Sequence, residues 1–115
     1  MKYQGSCQCQ AVRFTIESDI TESMTCNCSM CGKKGFALTF VPPSQFVLES
    51  GEDNLTEYRF NKKQIAHLFC KTCGVEAFAR GKNPDGSETV MVNLRCLEGI
   101  DLSTLKTSEF NGKDY

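Results

Sequence analysis

"LFCKTCG", residues 68 to 74, places two cysteines three positions apart and follows the second with a glycine. Two thiolates at that spacing can grip one metal ion, and Gly74 can take the positive φ that such a turn often requires. The stretch therefore reads as a zinc-knuckle turn, and a chelating pair of this kind needs a second pair to complete a tetrahedron. Working outward, "SCQCQ" at 6–10 supplies one. Cys7 and Cys9 stand at i and i+2, and on a strand such residues face the same side. Cys7, Cys9, Cys70 and Cys73 would then form a four-thiolate site that ties the first strand to the middle of the chain.

A third cluster lies between them in "MTCNCSMCGKKGF", residues 24–36. Cys26, Cys28 and Cys31 remain as three ligands once the other four are paired. Three protein ligands plus one exchangeable position is the arithmetic of a catalytic zinc site, whereas four is that of a structural one. Spacing alone leaves the partition open. Cys96 can close the second site as a fourth ligand, and iron is chemically compatible with thiolate-only sites.

The bulk composition favours metal over disulfides. Eight cysteines in 115 residues would suit a secreted disulfide scaffold, yet the N-terminal "MKYQGSCQCQ" has no apolar signal segment. Cysteines two or three apart are also poor disulfide partners for each other. A cytoplasmic location is expected by default. The formal net charge is −1, from 13 basic and 14 acidic residues that are mixed along the chain. That balance gives no electrostatic reason to expect nucleic acid or an anionic membrane as partner. No apolar run approaches the roughly 20 residues of a membrane span. The length suits one domain over 1–115, with its core over about 3–112.

Local patterning is strand-like throughout. "QAVRFTIE" (10–17) alternates apolar Val12, Phe14 and Ile16 with polar neighbours. Further strands are predicted in 36–43, 44–51, 55–60, 63–70, 74–81 and 87–96. Pro84-Asp85-Gly86 makes 74–96 the clearest hairpin, and a helical turn near Asp101–Leu105 has Asp101 or Ser103 to cap it. The expected architecture is mainly β with little helix, and a structural metal would supply part of its folding free energy.

Five stretches, "GSCQCQAVRF", "CNCSMCGKKGF", "FVPPSQFVLESGEDNLTEYRF", "LFCKTCG" and "VNLRCLEG", resemble successive motifs of the glutathione-dependent formaldehyde-activating enzyme family. That family shares its domain with centromere protein V, and the resemblance runs from Gly5 to about Gly112. It implies a zinc-stabilised β-sheet domain of the Mss4-like fold. It also implies that Cys7, Cys9, Cys70 and Cys73 hold a structural zinc, while Cys26, Cys28 and Cys31 hold a second with an open position. Three thiolates hold metal less tightly than four, which allows the second site to be only partly filled. Two features depart from the family pattern. Gln10 stands where the family usually has Gly, and Gly32-Lys33-Lys34 stands where an Arg pair often follows.

The chemistry implied is that of a carbon–sulfur lyase, an S-(hydroxymethyl)glutathione synthase. A small thiol such as glutathione would bind at the open zinc and add to a small aldehyde such as formaldehyde, or be released from the adduct. A different class of reading is a non-catalytic zinc module that binds protein. Lys33 and Lys34 read first as a solvated pair and second as an attraction for a substrate carboxylate. His67 reads as a packed or hydrogen-bonded structural residue. Cys96 reads as a small buried hydrophobe at a strand end. Glu57, Glu76 and Glu88 read as surface charges, Asn93 and Arg95 as strand-edge polar residues, and Phe36, Phe40, Phe46 and Phe69 as core. Oligomeric state is not legible in the sequence.

Overall fold

The alternation in "RFTIE" becomes a strand whose Phe14 and Ile16 are buried while Arg13 and Glu17 are exposed. The same period-2 logic builds most of the chain. The computed structural model describes residues 1–26, 33, 37–59, 65–83 and 85–110. Within them the strands are β1 (Lys2–Ser6), β2 (Arg13–Glu17), β3 (Glu22–Cys26), β4 (Ala37–Val41), β5 (Phe46–Ser50), β6 (Leu55–Tyr58), β7 (Ala66–Cys70), β8 (Glu76–Lys82), β9 (Glu88–Asn93) and β10 (Lys106–Phe110). Short 3₁₀ turns at Pro43–Gln45, Glu52–Asn54, Leu94–Cys96 and Leu102–Thr104 punctuate them. The protein is mainly β, as expected. Among the described residues no helix is long and apolar enough to cross a membrane.

Two sheets form. One has the order β1-β2-β5, and the other β10-β3-β4-β9-β8-β7-β6. Neighbours pair antiparallel except β10, which lies parallel to β3 and places Phe110 beside Cys26. The hairpin expected around Pro84-Asp85-Gly86 is present as β8–β9, closing on Lys82 opposite Glu88. Pro84 itself lies outside the described residues. Asp101 caps the turn that follows it, accepting from the Ser103 N–H at 3.0 Å.

The core lies between the sheets. Phe14 stacks on Phe46 with centroids 5.4 Å apart, and Phe46 meets Phe78 at 4.7 Å. Val12, Ile16, Val41, Val90, Val92 and Leu94 close around them. The Arg80 guanidinium caps this aromatic group from outside, 5.5 Å from the Phe46 centroid and 5.4 Å from that of Phe78. Phe46 is core as expected, but Phe40 is exposed and Phe69 half-buried, because both lie on the opposite face of the larger sheet. Phe36 lies outside the described residues.

The turn at 51–54 does not close a hairpin. β5 pairs with β2 in one sheet and β6 with β7 in the other, so this turn carries the chain between sheets. Gly51 takes φ 91°, a conformation that L side chains rarely adopt. Three strands carried no apolar alternation to announce them: β1 "KYQGS", β3 "ESMTC" and β10 "KTSEF". Neighbouring strands, rather than their own patterning, hold them extended.

Replacing Phe78, which is fully buried at the centre of the aromatic group, tests this packing. Phe78→Ala is expected to cost about 3–5 kcal/mol in guanidinium unfolding of the metal-loaded chain.

Candidate metal centre

Two turns far apart in the sequence bring four thiols together. The first joins β1 to β2, and the second joins β7 to β8. In the first, the Cys7 N–H donates to the Val12 carbonyl at 3.0 Å, and the Gln10 N–H donates to the Cys7 carbonyl at 3.2 Å. Cys7 and Cys9 are thus held in a turn rather than on a strand. They converge because the chain bends, not because residues at i and i+2 share a strand face. In the second turn the Gly74 N–H donates to the Cys70 carbonyl at 2.9 Å, and Gly74 has φ 81°, as the knuckle reading requires.

The four Sγ atoms of Cys7, Cys9, Cys70 and Cys73 lie within 4.8 Å of one another. The Cys7–Cys9 and Cys9–Cys70 sulfur separations are both 3.7 Å. A tetrahedron built on Zn–S bonds of about 2.3 Å has edges of about 3.8 Å. The tetrad therefore has the dimensions of a thiolate metal site, and its soft donor set suits Zn²⁺. Cys7 and Cys70 are buried, Cys73 is half-buried and Cys9 is exposed.

Backbone amides prepare the sulfurs for negative charge. The Val12 N–H points at Cys7 Sγ from 3.4 Å. The Val75 N–H, helped by that of Cys9, holds the Cys73 thiol down to about 6 against the opposing effect of burial. Burial opposes ionisation of Cys70, but the Cys73 and Thr72 amides outweigh it and lower that thiol too. Cys9 accepts from the Ala11 amide. Its partial removal from water and the neighbouring sulfurs nevertheless push it up to about 11, since charge on one sulfur disfavours charge on the next.

Cys96 sits in the 3₁₀ turn after β9, rather than on the strand itself, and packs against the core. Burial, then the charges of Cys7 and Cys73, raise its thiol to about 11. It stays protonated at neutral pH, which suits the inert role expected of it.

The remaining sequence-derived candidates divide clearly. Cys26 ends β3, its backbone paired with Phe110. Cys28, Cys31 and Lys34 lie outside the described residues, and Lys33 is exposed. His67 is structural as expected: it is buried, with Nδ1 2.8 Å from Glu76 Oε2. Glu76 corrects the surface reading, since it is only 5% exposed. A carboxylate is tolerated there because it faces the imidazole at hydrogen-bond distance. Glu57 and Glu88 are exposed, as read from sequence. Asn93 accepts from the Arg95 N–H and donates to the Glu76 carbonyl, so it braces two strand ends.

The four cysteine sulfurs at the junction of the two sheets form a cluster that could hold a metal ion. The glutathione-dependent formaldehyde-activating enzyme family matches residues 2–110, and the chain belongs to that family. A crystal structure of a Rhodobacter sphaeroides protein resembles it with a TM-score of 0.78 and 28% identity, over 91% of this chain and 99% of the other.

The family's preference for glycine after the second cysteine has a local cause here. Gln10 has φ 68°, in the left-handed region, and its side chain accepts from Arg13 at 3.1 Å. Gln10→Gly should relieve that strain and raise unfolding stability by about 1 kcal/mol, read by denaturant titration. The thiol ionisation gives a second test, because Cys73 is deprotonated above about pH 6 while Cys96 is not until about 11. In metal-free chain kept folded by a stabilising osmolyte at pH 7, iodoacetamide should modify Cys73 well before Cys96. Lowering the pH through about 6 should suppress the Cys73 reaction, as mapped by peptide mass spectrometry.

Proposed function

We propose that the chain is a two-zinc enzyme in which Cys7, Cys9, Cys70 and Cys73 hold a structural ion, and Cys26, Cys28 and Cys31 hold a second with one position open to a thiol. The observation that carries this reading is that the tetrad is complete without the central trio. Sheet order supports it. Between β3, which ends in Cys26, and β7, which ends in Cys70, lie β4, β9 and β8. Four strand spacings amount to roughly 19 Å, too far for Cys26 to share the tetrad's ion.

A zinc ion on the trio would hold an incoming thiol as its thiolate near neutral pH. Three cysteine thiolates already neutralise the ion's charge, which favours thiol exchange over activation of water. The thiol sulfur then adds to the carbon of a small aldehyde such as formaldehyde. A carbon–sulfur bond forms, the carbonyl oxygen takes up the proton that the thiol released, and the product is an S-hydroxymethyl adduct. The reverse step is a carbon–sulfur lyase reaction. Glutathione is the thiol that the family's description suggests. Lys33, exposed just beyond Cys31, would attract a carboxylate of such a thiol as a point charge, without the planar fork of an arginine.

Metal analysis should find two zinc ions per chain. Cys28→Ser should release one, abolish activity and leave the chain folded, whereas Cys73→Ser should unfold it. Unfolding of Cys28→Ser as readily as Cys73→Ser would reject an open second site. In cobalt-substituted protein, added glutathione should shift the absorption of one site alone.

A further inference from the structure

The turn that carries the chain from one sheet to the other touches both halves of the metal centre. On one side the Ser50 hydroxyl donates to the Ala11 carbonyl at 3.3 Å. Gly51 lies so close to the first cysteine turn that a Cβ there would stand 2.5 Å from the Ala11 carbonyl oxygen and 2.7 Å from Val12 Cα. Val12 is the residue whose N–H points at Cys7 Sγ. On the other side the Asn54 carbonyl accepts from the Lys71 N–H at 2.8 Å, inside the knuckle. The Asn54 amide group also donates to Cys70 Sγ at 3.4 Å and to Thr72 Oγ1 at 3.1 Å. Both of its N–H bonds are thereby directed into the knuckle.

Four thiolates around a divalent ion leave a net charge of about −2 in a partly buried place, and every N–H directed at a sulfur disperses part of it. Backbone amides serve all four sulfurs, Cys70 among them through Cys73 and Thr72. Asn54 differs from them as a side chain, among the described residues, that donates to a tetrad sulfur. Its amide plane is fixed at one end by Thr72 and its backbone at the other by Lys71, so the donor is aimed before any metal arrives.

We infer that Asn54 is a positioning residue of the metal centre. Its N–H···S bond orients Cys70 for coordination and slows metal loss, while Ser50–Asn54 clips the two cysteine turns together at chelating distance. This inference rests on the reading that the tetrad binds zinc, and it adds a residue that the cysteine pattern does not contain. Outer-sphere partners of metal ligands typically change affinity by roughly 10–100-fold when removed.

The test is release of zinc from full-length chain to a colorimetric chelator, followed in its slower, four-thiolate phase. Asn54→Leu keeps the branching at Cγ and removes the donor, so release should accelerate roughly 10–100-fold. In the cobalt-loaded variant the sulfur-to-metal charge-transfer bands should move to lower energy, because an unbonded thiolate gives up its electron more readily. Thr72→Val keeps the N–H···S bond and should stay within about two-fold of wild type. Should Asn54→Leu fail to fold, Asn54→Asp retains the turn chemistry without the donor and should show the same acceleration. Wild-type release rates and band positions in a folded Asn54 variant overturn the inference alone. A wild-type tetrad that takes up no zinc overturns the metal reading and the inference with it.

Discussion

The convergence of four sulfurs is the constraint on which the rest depends. Cys9 and Cys70 are separated by 61 residues, yet their sulfurs stand 3.7 Å apart. One contributing turn belongs to the three-stranded sheet and the other to the seven-stranded sheet. A metal held between them would therefore couple the two layers in a chain too short to rely on a large core. The aromatic group of Phe14, Phe46 and Phe78 does the apolar part of the same work, filling the space between the layers that the sulfurs pin at one end.

That arrangement explains why charge is tolerated where the fold is tightest. Amide N–H groups from both turns point at the sulfurs, and the Ser50–Asn54 turn adds a side-chain donor from a third segment. Thiolates so surrounded are stabilised by those donors, and this environment separates Cys70 and Cys73 from Cys96. The latter lies nearby, but burial and the like charge of Cys7 and Cys73 keep its proton on. Residues of one chemical type thus acquire different behaviour from their amide donors and exposure. On the proposed reading the same contrast separates a closed site, built to be kept, from a trio with one position free for exchange.

Much of the fold was legible because alternation and turn chemistry are local. β2, β5 and the β8–β9 hairpin follow from apolar spacing and from Pro84-Asp85-Gly86. The tetrad was legible from spacing because two thiolates three apart have few uses other than chelation. What sequence could not reveal falls into identifiable kinds. β1, β3 and β10 are polar strands recruited by their neighbours, with no alternation of their own. Glu76 looked like a surface charge because only pairing of β7 with β8 brings it to His67. Cys7 and Cys9 were assigned to the right site for the wrong geometric reason, since a turn with a left-handed Gln10, not a strand, brings them together.

The sequence by itself determined the class of chain and marked its cysteine clusters as chelating, because these depend on residue type and short-range spacing. Tertiary structure decided which sulfurs share a space, that Cys26 and Cys70 end strands four places apart, and that Gly51 to Asn54 bridge the two cysteine turns. Those relations arise from strand order and from contacts between segments dozens of residues apart. No local pattern encodes them, because each depends on where the other segments have already been placed.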